Sequence, residues 1–334
     1  MKIQKILEDI PTFNYIADLS IDYIRDNEFI SRLPRRLMSY FPLFDVDSLD
    51  LGLDLNIVRL NKTDLSGLKI VGLDTSIIPI AESISGILYA VRGSVVIYDS
   101  DIKKYLIKVY GPSLVYYTPY IVKYLHKYVR VSLNSLYTSI YDIYIAKKIL
   151  VSIYEFNILK DLVLENNYDI ILLDGAIESP ILRYQLYNDL LETLFQKSIG
   201  IVGISKRSRL TKRYFDTVLF LRKLGIDGFV KVDKINRIST TYVGYFNVKS
   251  GMPFRVDITN NISPSLLDIV YSLPSNGFGY PSILIEAHTI SKLKYKDVLG
   301  LYKVVIELGG DIKPSITHRS ALLGPLESDG NEAF

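Results

Sequence analysis

The sequence predicts an α/β protein built on a mixed β-sheet flanked by helices. Three observations carry that expectation. Leu68-Lys-Ile-Val-Gly-Leu-Asp-Thr-Ser76 and Tyr168-Asp-Ile-Ile-Leu-Leu-Asp-Gly-Ala176 are apolar runs that each end at a carboxylate, the pattern of a buried strand delivering an aspartate to the end of a sheet. Gly86–Tyr98 and Lys104–Tyr110 are strand-like, and a connection as short as Asp99-Ser-Asp101 makes them an antiparallel meander. The order strand, helix, strand, helix, strand follows that meander, which is the order of a mixed sheet.

Residues 1 to about 33 carry Ile3, Ile6, Leu7 and Ile10, then Ile16, Leu19, Tyr23 and Ile24, at helical spacing, and read as two short helices broken near Pro11. Residues 34–66 hold Pro34 and Pro42 without clean periodicity, a connector with one short strand at Asn56–Leu60. The first core strand is Leu68–Asp74. Tyr117–Leu136 is tyrosine-rich and ambiguous. From Tyr141 to Asn166 a helix carries Ile145, Ile149, Ile153, Phe156, Leu159 and Val163. Strand Ile170–Asp174, helix Leu182–Gln196 and strand Gly200–Ile204 follow. Thr240–Val248 and Phe254–Ile258 read as a strand pair. Ser263 is placed to cap a helix running to Leu273, with Pro264 in its first turn, and Tyr295–Leu308 is the last substantial helix. The expected divisions are an N-terminal helical and connector region, 1–66, packed on the core; a core domain, 67–310; and a tail, 311–334.

Composition narrows the function classes. With 49% hydrophobic and 22% charged residues the chain can build a sizeable core and is not disordered. It has no cysteine, which excludes disulfides, thiolate zinc sites and cysteine nucleophiles. No apolar run approaches the roughly 18 residues of a membrane span, and the mixed-charge start Met1-Lys-Ile-Gln-Lys is unlike a signal peptide. A soluble, cytoplasmic protein is expected. The net charge of +3 does not by itself imply nucleic acid.

Two strands that each end in an aspartate place two hard oxygen ligands, Asp74 and Asp174, side by side, and Gly175 lets the chain turn sharply after the second. Glu155 is the candidate third carboxylate. It lies 19 positions before Asp174, beside the buried stripe of its helix. Three carboxylates would leave a negative pocket that divalent cations neutralise. Each also has a bland reading: Asp74 as a turn cap before Thr75 and Ser76, Asp174 as an Asp-Gly turn, Glu155 as a solvated helix residue. Lys206, Arg207, Arg209, Lys212 and Arg213 form a basic cluster after the Gly200–Ile204 strand, suited to phosphate contact or simply a solvated loop. In Gly279-Tyr-Pro-Ser-Ile-Leu-Ile-Glu-Ala-His288, His288 can be a metal ligand, a proton carrier or a satisfied structural histidine, eight positions after Tyr280.

These stretches, in this order, resemble the NurA nuclease family of archaea and some bacteria. The matching signatures are Gly72-Leu-Asp-Thr-Ser76, the helical Glu155 before Leu172-Leu-Asp-Gly175, Gly203-Ile-Ser-Lys206, and Tyr280-Pro-Ser-Ile-Leu-Ile-Glu-Ala-His288. The resemblance spans about residues 68 to 290. It implies an RNase H-like nuclease core and manganese-dependent cleavage of DNA (with magnesium as the alternative ion at a two-metal site), as a 5′-3′ exonuclease and single-strand endonuclease. It also implies a homodimer that docks on the hexameric HerA translocase in DNA end resection for double-strand break repair by homologous recombination. Carried onto this chain, Asp74, Glu155, Asp174 and His288 match metal-site positions, Tyr280 a functional tyrosine, and Lys206 a family motif. Thr75 stands where family members often have glycine, which leaves the ligand in place but alters how closely backbone approaches metal. Two rival readings remain at this stage. A sugar-kinase-like phosphotransferase would need a glycine-rich phosphate loop, and neither GxGxxG nor GxxxxGK occurs. A catalytically silent DNA-binding scaffold would gain nothing from acids aimed at phosphate.

Overall fold

A computed structural model describes residues 57–83, 86–130, 132–140, 142–165, 167–177, 190, 193, 197–206, 215–232, 239–260, 263–307 and 313–314. The expectations for residues 1–56, for most of Leu182–Gln196, for Arg207, Arg209, Lys212 and Arg213, and for most of the tail lie outside these residues. The chain divides into two compact units, Met1–Asp54 and Leu55–Phe334, and all the described residues belong to the second.

Ten described strands form one sheet: β1 Ile57–Arg59, β2 Lys69–Ser83, β3 Gly86–Asp99, β4 Lys104–Tyr117, β5 Ile170–Leu173, β6 Gly200–Ser205, β7 Gly228–Lys231, β8 Ser239–Tyr245, β9 Phe254–Thr259 and β10 Lys313–Pro314. Their spatial order is β1-β7-β8-β9-β6-β5-β2-β3-β4, with β10 pairing on β2. β2–β5 and β5–β6 are parallel and every other pairing is antiparallel. The sheet is therefore mixed, as the sequence order predicts. The short β2–β3–β4 connections make hairpins, and the parallel pairs need crossovers.

The helices are α1 Pro119–Leu125, α2 Leu133–Thr138, α3 Ile143–Glu165, α4 Phe215–Leu224, α5 Leu266–Ser272, α6 Ser282–Ser291 and α7 Tyr295–Glu307. Side-chain alternation along the central strands assigns them to two faces. Val71, Leu73 and Ile171 join the core beneath α3 with Ile149, Ile158 and Leu162. Ile70, Ile170, Leu172, Val202 and Ile204 join the other core with Leu266 and Leu267 of α5 and Ile283, Leu284 and Ala287 of α6. Smaller clusters pack α7 on β2 and β3 through Val298, Ile80 and Leu88, and α4 on β7 and β8 through Leu221, Val230 and Val243.

Several sequence expectations need correction. The first core strand does not stop at Asp74. It runs on to Ser83, paired with β3 throughout, with a bulge between Pro79 and Ala81. Asp74 is thus not a turn cap. It marks the point where the parallel neighbour β5 leaves the sheet. The second meander strand extends to Tyr117, and the ambiguous tyrosine-rich stretch resolves into α1 and α2. The helix proposed to start at Ser263 starts at Leu266. Ser265 is its N-cap, without a side-chain capping bond, and Ser263 Oγ instead accepts from Ser265 N at 3.3 Å. On α3, Ile153 and Phe156 are only partly buried, and Ile149, Ile158, Leu159 and Leu162 carry the buried face.

Candidate metal centre

Strand parity and register build the site. In β2, Ile70 and Gly72 face α6, so Asp74 does too. In β5, Ile170 and Leu172 face the same way, and so does Asp174. In β6, Val202 and Ile204 extend that parity to Lys206. Leu73 pairs with Leu173, which sets the two aspartates next to each other where the parallel ladder ends. Asp174 N still donates to Leu73 O at 3.2 Å, and Gly175 then turns the chain away at φ 152°. The turn lies directly over β6, because a Cβ on Gly203 would come within 2.6 Å of Gly175 O.

α6 supplies the opposite wall. A Cβ on Gly72 would meet Ile283 Cγ1 and Ile283 O at 3.0 Å, so only glycine lets this helix lie so close to β2. Ser94 of β3, paired with Asp74, donates to Ala287 O at 2.5 Å and ties the helix down. His288 and Ser291 are thereby delivered to Asp74. His288 Nδ1 lies 3.1 Å from Asp74 Oδ2 and 3.9 Å from Asp174 Oδ2, and Ser291 Oγ donates to Asp74 Oδ2 at 2.5 Å. Asp74, Asp174 and His288 each offer a ligand atom, and all three atoms lie within 4.8 Å of one another. The Asp74 carboxylate is 8% exposed and that of Asp174 12%, whereas the His288 ring is 54% exposed.

Glu155 approaches from the other face of the sheet, on α3. It lines a small cavity with Ser152, Phe156, Leu159, Leu173, Ala176 and Ile177, behind the turn that follows Asp174. It is not part of the three-residue cluster, but it shares its field. Burial, then the charges of Asp74 and Asp174, push the Glu155 carboxyl up to about 8. Burial also raises Asp74, and the Asp174 charge adds to this. The Ser291 hydroxyl and His288 oppose it. Glu155 is partly buried against this cavity and is not a fully solvated helix residue.

Lys206 reaches back from the end of β6. Its Nζ is 2.8 Å from Asp174 Oδ2 and 4.5 Å above the Tyr280 ring, and its side chain is 41% exposed. Tyr280 is buried and stacked on Phe254. Burial and the neighbouring Asp174 raise its hydroxyl well above the usual tyrosine range, yet hydroxyl and carboxylate do not meet in hydrogen-bond geometry. All six singled-out residues thus gather at one end of the β2–β5–β6 ladder.

One partner of the site and one neighbour of it escaped the sequence reading. Ser291 lies three positions after His288, and the signal for it was present: Ile283, Ala287 and Ser291 recur at helical spacing, but the segment was not read as a helix. Arg92 pairs with Ser76, two residues beyond Asp74 on the same face, and forms an ion pair with Asp297 at 3.5 Å. Nothing in the sequence around it marks it.

The donor set fits a hard divalent cation. It combines carboxylate oxygens with one imidazole nitrogen; the Asp174 charge adds to the raised proton affinity of Asp74, and the charges of Asp74 and Asp174 add to that of Glu155, a cost that a cation would relieve. The described residues contain no helix long and apolar enough to cross a membrane.

Comparison with known proteins agrees with this architecture. The crystal structure of the NurA nuclease from Sulfolobus solfataricus is similar with a TM-score of 0.50 at 17% identity, covering 93% of this chain and 98% of its own. A second crystal structure of NurA has a TM-score of 0.50 at 11% identity, covering 89% of this chain and 99% of its own. At such identities these likenesses establish the fold alone. No curated protein gives a significant match. The NurA domain model matches residues 68–293, a span that opens at the threshold of β2 and closes just past Ser291, so every element that builds the carboxylate site lies inside it, and the chain belongs to the NurA family.

Proposed function

We propose that this protein is a metal-dependent deoxyribonuclease whose centre is Asp74, Glu155, Asp174 and His288. The observation that carries the reading is the convergence of Asp74, Asp174 and His288 within 4.8 Å, with Glu155 in electrostatic contact from behind. Membership of a nuclease family points the same way. Mn²⁺, with Mg²⁺ as the alternative, would be held by these four side chains. When bound, it supplies a water of lowered pKa and stabilises charge developing on the phosphate and the leaving oxygen.

The remaining work falls to the chain. β2 and β5 fix Asp74 and Asp174 through their backbone ladder, so the ligands need no reorganisation. Ser291 holds one oxygen of Asp74 and leaves the other free. His288 sets Nδ1 against Asp74 with about half of its side chain exposed, and a ring nitrogen that does not hold metal would be placed to pass a proton to the leaving group. Lys206 keeps a positive charge beside Asp174, ready to meet an incoming phosphate, and Tyr280 fixes the position of that amine through its ring. Arg207, Arg209, Lys212 and Arg213 continue the basic run and extend phosphate contact along the DNA.

The wider reading has residues 67–310 as an RNase H-like nuclease domain, between an N-terminal region, 1–66, and a tail, 311–334. Cleavage is 5′-3′ exonucleolytic and single-strand endonucleolytic. The protein works in the cytoplasm as a homodimer docked on a HerA-type translocase in end resection. Light scattering tests the dimer: roughly 76 kDa is expected, twice the 38.0 kDa chain, and an active monomer would contradict it. The activity is tested with labelled single- and double-stranded DNA in Mn²⁺, Mg²⁺ or EDTA. Degradation only with metal, lost in Asp74→Ala, is expected. DNA bound but intact in every condition would point to a scaffold instead.

A further inference from the structure

We propose that α1, the turn after it and the first turns of α3 present a binding site for single-stranded nucleic acid, from which a stripe along α3 runs toward Glu155. The choice of ligand rests on the nuclease reading, but the site is separate from the residues placed in the catalytic centre.

Residues 119–148 carry Lys123, Lys127, Arg130, Lys147 and Lys148 against a single acid, Asp142. Five minus one gives +4 in this segment, against +3 for the entire chain. The same segment exposes tyrosine rings. Tyr120 is 79% exposed, Tyr124 52% and Tyr144 67%. Lysine amines rest on two of these rings, those of Tyr124 and Tyr144. Lys127 Nζ lies 4.0 Å from the Tyr124 centroid and 4.8 Å from that of Tyr128, and Lys148 Nζ lies 4.1 Å from that of Tyr144. Tyr124 and Tyr128 are themselves adjacent, with centroids 5.7 Å apart.

Exposed cation–π pairs are weak, so a nucleobase can take the ring face while the amine turns to the neighbouring phosphate. Each tyrosine–lysine pair thus offers the two contacts that sequence-tolerant binding of a single strand needs: a stacking platform and a countercharge. A membrane surface is the poorer match. α1 spends Val122 and Leu125 on the protein core and shows solvent phenol rings and amines, without the wide aliphatic face of an interfacial helix.

The period of α3 supplies the path. At 100° per residue, Tyr144, Lys148 and Glu155 fall within about 40° of one another on one stripe. At about 1.5 Å rise per residue, Glu155 lies roughly 10 Å along the axis from Lys148 and roughly 16 Å from Tyr144. Ser152 lies between them and lines the cavity beside Glu155.

The test is fluorescence anisotropy of a labelled oligothymidylate with the full chain in EDTA, at several salt concentrations. The double variant Tyr124→Ala, Tyr144→Ala is expected to bind at least about tenfold more weakly, and the corresponding Phe variant to bind like wild type, because stacking needs the ring and not the hydroxyl. Lys127→Ala with Lys148→Ala should lower the log–log salt slope by about 1.4, two contacts at about 0.7 each. Hydrolysis of bis(p-nitrophenyl) phosphate in Mn²⁺, which needs no extended surface, should be unchanged in all of them. If wild type cleaves neither this ester nor DNA, the nuclease reading fails, while the oligonucleotide titration still decides this site. The site is refuted if wild type does not bind the oligonucleotide, or if the alanine variant binds it with unchanged affinity. Loss of binding to phosphatidylserine vesicles with oligonucleotide binding intact would reassign the surface to a membrane and refute it equally.

Discussion

Replacing Glu155 by glutamine should change how stability depends on pH. The Glu155 carboxyl is pushed from its ordinary 4.5 up to about 8, chiefly by burial and then by the charges of Asp74 and Asp174. One pKa unit corresponds to about 1.36 kcal/mol, so the folded state favours protonated Glu155 by on the order of 3–5 kcal/mol. The sign follows from proton counting. Between 4.5 and about 8 the folded chain keeps a proton that the unfolded chain has released, so stability falls as pH rises through this window. Asp74, also raised, contributes in the same direction. Glutamine has the same shape and no proton to lose, so the advantage of Glu155→Gln over wild type should be small near pH 5 and grow to a few kcal/mol near pH 9. Urea unfolding in EDTA across that range measures it. Adding Mn²⁺ should reverse the wild-type trend, because the cation binds the deprotonated carboxylates of the folded state only. A wild-type–variant difference that stays constant with pH would refute the reasoning, since Glu155 would then titrate as a solvated residue.

Three further outcomes follow from the geometry. Gly72→Ala places a Cβ 3.0 Å from Ile283 Cγ1 and Ile283 O, which should cost roughly 1–3 kcal/mol in thermal or urea unfolding; cleavage should fall more steeply than stability, because α6 carries His288 and Ser291. Lys206→Ala should change stability by no more than about 1 kcal/mol, its side chain being partly exposed, yet reduce cleavage measurably in single-turnover assays. Arg207→Ala or Arg209→Ala should weaken duplex binding at all sequences alike and lower the salt slope by about 0.9, as titrations at increasing salt would register.

The sheet was legible where burial on both faces makes an apolar run, as in β5 and β6. The carboxylates were legible because each interrupts such a run at its end. β2 was read short because Thr75, Ser76 and Pro79 look like strand exit. Beyond Leu73 the parallel neighbour is gone, and the bulge at Pro79–Ala81 absorbs the irregular pairing, so proline is tolerated there. α6 was not read as a helix: its apolar residues Ile283, Leu284, Ile285 and Ala287 lie on more than one face, which blurs its period. β7 has only four residues, too few for any period to show. Arg92 could not be found at all, since its place opposite Ser76, two residues along β2 from Asp74, is a matter of antiparallel register, and register is not written in local sequence. Glu155 was singled out by its position beside the α3 stripe, although two of the residues used to draw that stripe proved only partly buried.

The central claim is that Asp74 and Asp174 hold catalytic metal. A crystal soaked in Mn²⁺ and measured at the manganese edge tests it most directly. The account predicts one or two anomalous peaks bound by Asp74 and Asp174, with His288 or Glu155 completing the ligands; if two, they should lie about 3.5–4 Å apart. Peaks elsewhere, or none, with Lys206 still paired to Asp174, would contradict it.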